Sequence, residues 1–553
     1  MMRTPKTNPC ASRNEERLGT MPYQPDYPVS VLREDDRYDV VIIGGAFSGS
    51  CAALLLLRER PALRVLVVEK QDAFDAKVGE ATTEMAAMFL TRRLGLWQHL
   101  EREHLPKEGL RYWSFNDAVT AHADASEAGG VLRSTVPSFQ LRRDALDEHL
   151  LSLARAEGAE VSRPAGVRSV ELKDFDSAVT IVRSEGGVEQ ARTVRCTWLL
   201  DASGRQCFLG KRLGLIEWND AHPIGSVWAR WTNVRHLDDL AARAGGPLAA
   251  GNVGSRRLAT NHYVGRGWWV WVIPLKTGET SIGIVFDKRL VPLHEAADRE
   301  AAYVSHLRGH PALAELLEGA TLRRDDLRAR SRISYVARQY MGPGWALLGD
   351  AAAFLDPYYS PGLDHCCFTA EATARIVLAH LGGEDSTEKT AARITRHNDE
   401  FGRSYRWFFD CVYRDKYYFF GEHDLISASF LLDTALYYIF LVIPAYRFAK
   451  RFLPSPVLGA RVALPSYLLM KFMKWRFRRI ADLRVRTGEA GARNSGVRIK
   501  AFFDLNLAPF HMLARGAKLW LKAELDSIRL RVKLLLRTPA PFTPALPQPA
   551  PRT

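Results

Sequence analysis

A β-branched run, Tyr38–Ile43, meets the turn Gly44-Gly45-Ala46-Phe47-Ser48-Gly49 and continues into the apolar stretch Ala52–Leu57. A strand this short and this apolar reads as a parallel strand buried on both faces, and the stretch beyond the turn has helical length. That order opens a dinucleotide-binding βαβ unit. Gly44 permits the tight turn and Gly49 lets helix and strand approach closely. The helix N-terminus offers unpaired N–H groups and a positive dipole end to a pyrophosphate. Gly45 and Ser48 complete the turn, and Ala46 stands where G-x-G-x-x-G has its second glycine.

A second β run, Arg64–Glu69, ends in an acid about 20 residues past Gly49, the spacing of a ribose-binding carboxylate. Glu69 can accept hydrogen bonds from both ribose hydroxyls and would repel a 2′-phosphate, which favours FAD or NAD over NADP. Lys70 follows it and is counted with the cofactor-binding residues.

With 553 residues the chain can bury a large core and is expected to hold two or three structural units. Seven cysteines, scattered and without C-x-x-C spacing, give neither a disulfide framework nor a zinc site, so a reducing cytoplasm is expected and no metal is assigned. Residues 1–36 are polar and proline-bearing without an apolar segment and read as a disordered tail, not a signal peptide. The net charge of +14 is concentrated: from Ala445 to Thr538, 21 Lys and Arg face 5 Asp and Glu. The rest of the chain is close to neutral.

Further along, Lys77-Val78-Gly79-Glu80-Ala81-Thr82-Thr83-Glu84 is a loop leading into a helical stretch, Met85–Leu96. Lys107–Phe115 alternates like a strand, and Arg143 lies at the opening of an amphipathic helix. Val161–Val170 and Ala178–Val182 read as strands, and Trp198–Asp201 as a strand ending in a small-residue turn. Residues 221–287 are mostly β and rich in tryptophan, suited to one wall of a substrate cavity. Gly344–Leu348 is a third nucleotide-type strand, running into Gly349-Asp350, and the loop Asp356–Leu363 precedes another helix.

The turn at Gly44–Gly49, Glu69, Arg143, Asp201-Ala202-Ser203-Gly204 and Gly349-Asp350 follow the order seen in flavoproteins of the p-hydroxybenzoate hydroxylase type, which this chain resembles from Tyr38 to Leu378. The resemblance implies FAD as cofactor, with Asp350 on the ribityl chain and Arg143 near the phosphates or ribityl chain. It also places Asp201 and the loop residues Pro357, Gly362 and Leu363 among the cofactor-binding residues.

Within that group, three features are similar to the flavin-dependent halogenases: Trp269-Val270-Trp271-Val272-Ile273-Pro274, fitting W-x-W-x-I-P; Val78-Gly79-Glu80-Ala81-Thr82, fitting V-G-E-[AS]; and Lys107, where that family has its active-site lysine. The resemblance implies that reduced flavin, O₂ and halide yield hypohalous acid, which Lys107 presents to an electron-rich ring. Glu80, Trp269 and Trp271 join Lys107 as catalytic candidates. Ser360, Gly362 and Leu363 are the halide-binding candidates, but Pro361 lies among them and has no N–H to give. Tyr359 stands where tryptophan halogenases carry a glutamate, so an aromatic, phenolic, pyrrolic or polyene substrate other than free tryptophan is expected, free or tethered to a carrier protein. A flavin monooxygenase or a geranylgeranyl-reductase-like double-bond reductase acting on a lipophilic substrate is the competing expectation. No second G-x-G-x-x-G appears, so FADH₂ is expected from a separate flavin reductase.

Leu425–Pro444 is apolar for about a membrane-spanning length, yet Asp433 interrupts it and a cavity-covering helix pair is expected. Residues 445–538 mix aromatic and aliphatic residues with Lys and Arg, as an anionic membrane surface or an acidic protein partner would require; no nucleic-acid motif is present. The expected fold is α/β: a Rossmann-like FAD-binding domain (37–385) interleaved with a mixed β-sheet substrate region (about 105–135 and 206–330). An α-helical basic module (386–538) and a proline-rich tail (539–553) follow.

Overall fold

The computed structural model describes residues 37–130, 134–185, 188–243, 256–447 and 461–536; the two terminal tails expected from sequence lie outside them. Val40–Ile43 and Val65–Val68 are buried throughout, which is why they occupy the middle of a parallel sheet. The sheet runs Met341–Gly342, Trp345–Leu347, Val188–Asp201, Arg37–Ile43, Val65–Val68, Glu160–Ser162. Four of these five pairings are parallel, the Met341–Gly342 edge being antiparallel, and Ile43 is level with both Asp201 and Val68. The three nucleotide-type strands therefore end on one edge, as their resemblance to flavoproteins requires. The run expected at Val161–Val170 divides into Glu160–Ser162, within the parallel sheet, and Gly166–Glu171, which joins a hairpin extending the long Val188–Asp201 strand.

Helix α1 (Phe47–Glu59) lies on this sheet, packed between α2 (Arg143–Ala156) and α3 (Gly362–Leu381). The helix expected over Met85–Leu96 is present in two pieces, an α-helical Glu84–Met88 and a wider π-helical turn Phe89–Arg93. Such turns recur near functional sites.

A second, nine-stranded sheet carries the tryptophan strand Trp268–Pro274, paired with Thr260–Gly265 and Thr280–Asp287. Strand alternation divides its side chains: Trp269, Trp271 and Ile273 join the main core with the FAD-type domain, while Trp268, Val270 and Val272 pack in a separate core beneath. The far edge of the sheet is Arg498–Ala501, parallel to Ser126–Gly130. That strand comes from the C-terminal basic module, which is thus woven into the substrate sheet.

The C-terminal helices include α4 (His423–Tyr437), α5 (Leu464–Thr487) and α6 (Ala508–Leu536). In place of the expected helix pair, α4 passes through a π-helical turn, Tyr438–Val442, into Ile443–Arg447 as one run. Among the described residues this run alone is long and apolar enough to cross a membrane, but 61% of its apolar window is buried inside the fold. It is a core helix, closed on its outer side by α6.

Candidate active site

The nucleotide turn is set by steric necessity. Gly44 has φ +97°, and a Cβ there would lie 2.5 Å from the Ala202 carbonyl oxygen; one on Gly49 would lie 1.9 Å from that of Gly44. Neither position admits another residue. Ala46 precedes the first turn of α1 without a side-chain cap, so the helix N-terminus keeps its amides for a ligand. Glu69 is buried; its carboxylate accepts from the Gly45 N–H at 2.8 Å and the Gln71 N–H at 2.9 Å, which brings the ribose-type acid to the glycine turn. Lys70 beside it is exposed.

Arg143, at the start of α2, lies with its guanidinium 5.7 Å from the centre of the Phe47 ring at the opening of α1. It is held by buried Asp147 at 3.1 Å, which Lys77 also reaches at 2.7 Å. Burial lowers the Arg143 pKa, but the Asp147 carboxylate outweighs it and the guanidinium is held more firmly protonated than usual. Gly349, at φ +54°, admits no Cβ because one would fall 2.6 Å from Ser48 Oγ and from Cys366 Sγ. The first and third nucleotide elements therefore touch. Asp350 follows, half-buried; desolvation raises its carboxyl, with the Arg205 and Arg143 guanidinia opposing. Asp201 is fully buried and spends its oxygens on the N–H groups of Ser203 at 2.9 Å and Leu209 at 2.7 Å, so it holds the turn on which Gly44 rests. A glycine cradle that a Cβ would fill, a ribose-type acid at its rim, and a buried arginine at the helix opening fit FAD.

Among the described residues, the loop before α3 alone has two successive non-glycine residues at positive φ. Tyr359 and Ser360 take φ values of +74° and +58°, left-handed geometry that non-glycine residues rarely adopt in succession. The Ser360 N–H is turned back onto the Pro357 carbonyl at 2.8 Å, and Pro361 supplies none, so Gly362 and Leu363 in the first turn of α3 are the nearest backbone donors.

Lys107 is buried, its Nζ donating to the Thr82 carbonyl at 2.7 Å. Burial pushes its pKa down to about 8, with the carboxyl groups of Glu84 and Asp364 pulling it back up. Glu84 accepts from the Tyr438 hydroxyl at 2.9 Å, and desolvation raises its carboxyl. Asp364 accepts from the Thr83 hydroxyl and from the Ala86 N–H at 3.0 Å, and burial raises it to about 7. Thr82, Thr83 and Glu84 all belong to the V-G-E-A loop or its end, so that loop carries the lysine's surroundings.

Glu80, in the same loop, turns elsewhere: its carboxylate pairs with the buried Arg230 at 2.6 Å, pinning the loop to the second sheet. Burial raises the Glu80 carboxyl, with the Arg230 guanidinium opposing. Trp269 donates from Nε1 to the Tyr417 hydroxyl at 3.0 Å, which in turn donates to Asp356 at 2.9 Å. Trp271 donates to Ser281 Oγ at 3.1 Å. Both indoles are fixed in orientation and form a wall beside Tyr358, whose ring centre is 5.3 Å from that of Trp269.

One cluster lay beyond the sequence argument. Tyr359 donates to Asp433 of α4 at 3.0 Å; Lys416 reaches the same carboxylate at 2.8 Å and Lys474 of α5 at 2.6 Å. Both lysines are buried and the Asp433 side chain is 6% exposed, and desolvation lowers Lys416 to about 7 despite Asp433. The strained loop is thereby tied to the C-terminal helices. Asp433 had been visible only as an interruption in an apolar run; its two lysines lie 17 and 41 residues away in the chain.

The FAD binding domain family matches residues 37–254. The flavin-dependent halogenase chlA of Dictyostelium discoideum is 29% identical over 363 residues, 59% of this chain and 58% of that protein. Tetracycline 7-halogenase of Kitasatospora aureofaciens is 26% identical over 65% of this chain and 67% of its own length. In sequence this chain is similar to flavin-dependent halogenases. Its fold is that of halogenase PltM solved with phloroglucinol and FAD, at TM-score 0.65 and 19% identity over 89% of this chain and 98% of that one. The chondrochloren halogenase CndH follows at TM-score 0.58 and 20% identity, over 79% of this chain and 97% of its own. FAD is the cofactor that its nucleotide-binding domain holds. The aligned segment spans just under three-fifths of the Dictyostelium relative.

Proposed function

We propose that this protein halogenates an electron-rich phenolic, pyrrolic, other aromatic or polyene substrate, free or carrier-bound, using FADH₂ supplied by a separate reductase. The observation that carries the reading is Lys107, buried and flanked by Glu84 and Asp364 at the end of the V-G-E-A loop. Bound and reduced, FAD supplies the reaction with O₂ and halide that produces hypohalous acid. The protein then has to capture that small oxidant and aim it. Lys107 Nζ is suited to both tasks: its ammonium can donate a hydrogen bond to the oxidant, and its lowered pKa makes the free amine accessible near neutrality. Glu84 and Asp364, both raised by burial, can take or return a proton at Nζ. Trp269 and Trp271, locked by their Nε1–H bonds, keep the substrate ring from the cofactor so that only a diffusible oxidant reaches it. Tyr359 in place of the tryptophan-halogenase glutamate speaks against free tryptophan, and the phloroglucinol held by the similarly folded PltM favours a phenolic ring.

A second reading, a flavin monooxygenase or double-bond reductase on a lipophilic substrate, has one observation in its favour. Ser360 N–H is consumed by Pro357 and Pro361 has none, so a halide would rest on Gly362 and Leu363 alone. Turnover with FAD, a flavin reductase, O₂ and a panel of phenols, with and without chloride or bromide, separates the two. Halide incorporation that vanishes in Lys107→Ala while FAD is retained supports halogenation; oxygen insertion at undiminished rate without halide refutes it. A cytoplasmic location, peripheral to the inner membrane face, accompanies this proposal.

A further inference from the structure

Of the 22 large apolar residues left exposed among the described residues, 17 lie between Val462 and Leu536. On α6 they fall at helical spacing: Phe510, Leu521, Leu525, Ile528, Val532 and Leu535, between 50% and 85% exposed. At 100° per residue, all six lie within about 40° of one line down the helix. The opposite face of α6 is packed on α4, where Gly516 is needed because a Cβ would come 2.7 Å from Leu432. The stripe is therefore the outward side of a helix already committed to the core. It runs from Phe510 to Leu535, about 38 Å at 1.5 Å per residue. Leu468, Phe472 and Trp475 of α5 extend the same surface; the Phe472 ring lies 6.3 Å from Trp520 of α6, and Arg476 pairs with Glu524 across the two helices. Lys518, Lys522 and Arg479 border the surface, and none is in an ion pair among the described residues. An apolar stripe bordered by cations, with tryptophans at its margin, is the design of a helix lying in the headgroup region of an anionic bilayer.

We propose that α5 and α6 seat this protein on an anionic membrane surface. Two other occupants fit less well. A second copy related by a two-fold axis would bring Lys518 and Lys522 of each chain toward the other's cations across the apolar stripe. A small acidic carrier protein would satisfy the lysines but leave most of a 38 Å apolar stripe in water, a length that follows from the helical rise. The placement also has consequence for the site. Among the described residues α4 lies between α6 and the surroundings of the lysine: its Phe430 is 4.7 Å from the Tyr112 ring, and Tyr438, in the turn that continues it, holds Glu84. Docking would bring the Lys107 site to within about two helix diameters of the bilayer. This inference is independent of which flavin reaction the protein performs.

The test is co-sedimentation of the full-length, FAD-loaded protein with mixed phosphatidylglycerol–phosphatidylcholine vesicles and with pure phosphatidylcholine vesicles. Binding to the anionic vesicles should be about tenfold stronger than to the neutral ones and should weaken with salt. The pair Leu525→Glu and Ile528→Glu should weaken it about tenfold or more, while Lys518→Glu with Lys522→Glu should erase the preference for phosphatidylglycerol. Unchanged FAD content and thermal melting of each variant show that the fold is intact; a variant that loses either is replaced by the milder Leu525→Ser with Ile528→Ser. Absence of binding to anionic vesicles overturns the proposal, as does binding that both intact variant pairs leave unchanged. So does a dimer in light scattering that the Leu525→Glu, Ile528→Glu pair converts to monomer with no vesicle binding by the parent, or retention of an acidic carrier protein in place of vesicles.

Discussion

Replacing Lys107 by methionine removes a buried charge, and the pH at which stability is measured decides how much that matters. In the unfolded chain the lysine titrates near 10.5; in the fold its pKa is about 8, because burial disfavours the ammonium more than Glu84 and Asp364 favour it. A folded pKa below the unfolded one means that the unfolded state binds more protons between those two values, so stability rises with pH there. At pH 7 both states are mostly protonated and the lysine costs the fold about 3 kcal/mol, at 1.36 kcal/mol per pKa unit. At pH 9.5 the folded lysine is neutral, the unfolded one is still mostly charged, and about 2 kcal/mol of that cost has been recovered. Wild-type protein should therefore gain about 2 kcal/mol on Lys107→Met between pH 7 and pH 9.5. Asp364 contributes in the same direction: without the lysine its raised carboxyl titrates higher still, so the variant pays for its ionisation above pH 7. Glu84, which the lysine also lowers, acts in the same sense, while groups away from Lys107, Lys416 among them, are common to both proteins and cancel in the difference. Urea titrations of the FAD-free proteins at the two pH values measure it, with the slope checking that both unfold alike. A stability difference that stays constant or moves the other way would show that Lys107 is solvated in the folded protein, and the delivery role built on its burial would fall with it.

Pro361→Ala keeps a compatible φ of −78° and restores an N–H at the first turn of α3. If halide rests on that turn, its KM should fall about tenfold, the value of one hydrogen bond to an anion, read from initial rates against chloride and bromide. Gly349→Ala puts a methyl group 2.6 Å from Ser48 Oγ at a positive φ, so FAD affinity, followed by flavin fluorescence on titration, should drop by tenfold or more, at about 1.4 kcal/mol per decade. Asp433→Asn strands Lys416 and Lys474 in the core and should cost about 3–5 kcal/mol by thermal or urea unfolding, most of which Lys416→Met with Lys474→Met should restore. If the double methionine variant on the Asn background stays as unstable as Asp433→Asn alone, the buried charges are not the cause.

The legible part of this protein is the part whose reason is local. Gly49 answers to the Gly44 carbonyl within its own turn, and the spacing to Glu69 follows from one strand and one helix, so the opening of the nucleotide cradle could be read from the chain in order; the neighbours that forbid a Cβ at Gly44 and Gly349 (Ala202, Ser48, Cys366) come from other elements. The W-x-W strand could be read too, because period-two alternation alone decides that Trp269 and Trp271 share a face and Trp268 does not. What could not be read were partnerships set by tertiary packing. Glu80 and Glu84 are four residues apart in one loop, yet one is drawn to Arg230 on the second sheet and the other faces Lys107; nothing in the loop distinguishes them. Asp433 looked like a defect in an apolar helix and is the point where that helix is fastened to the strained loop by two lysines.

The C-terminal basic module shows where the boundary lies. Its charge excess and the helical spacing of Leu521, Leu525, Ile528 and Val532 are both plain in the chain, and both fit a helix with one apolar face. A sequence cannot say whether such a face is turned inward, and the usual answer is that it is. Here α4 already takes the side of α6 that carries buried Met512, Gly516 and Ala523, and Gly516 is where the two helices approach closely. A helix has only one side that can meet α4 at that distance, so Gly516 decides the question: by fixing which face is inside, it leaves the leucine stripe and its lysines uncovered among the described residues.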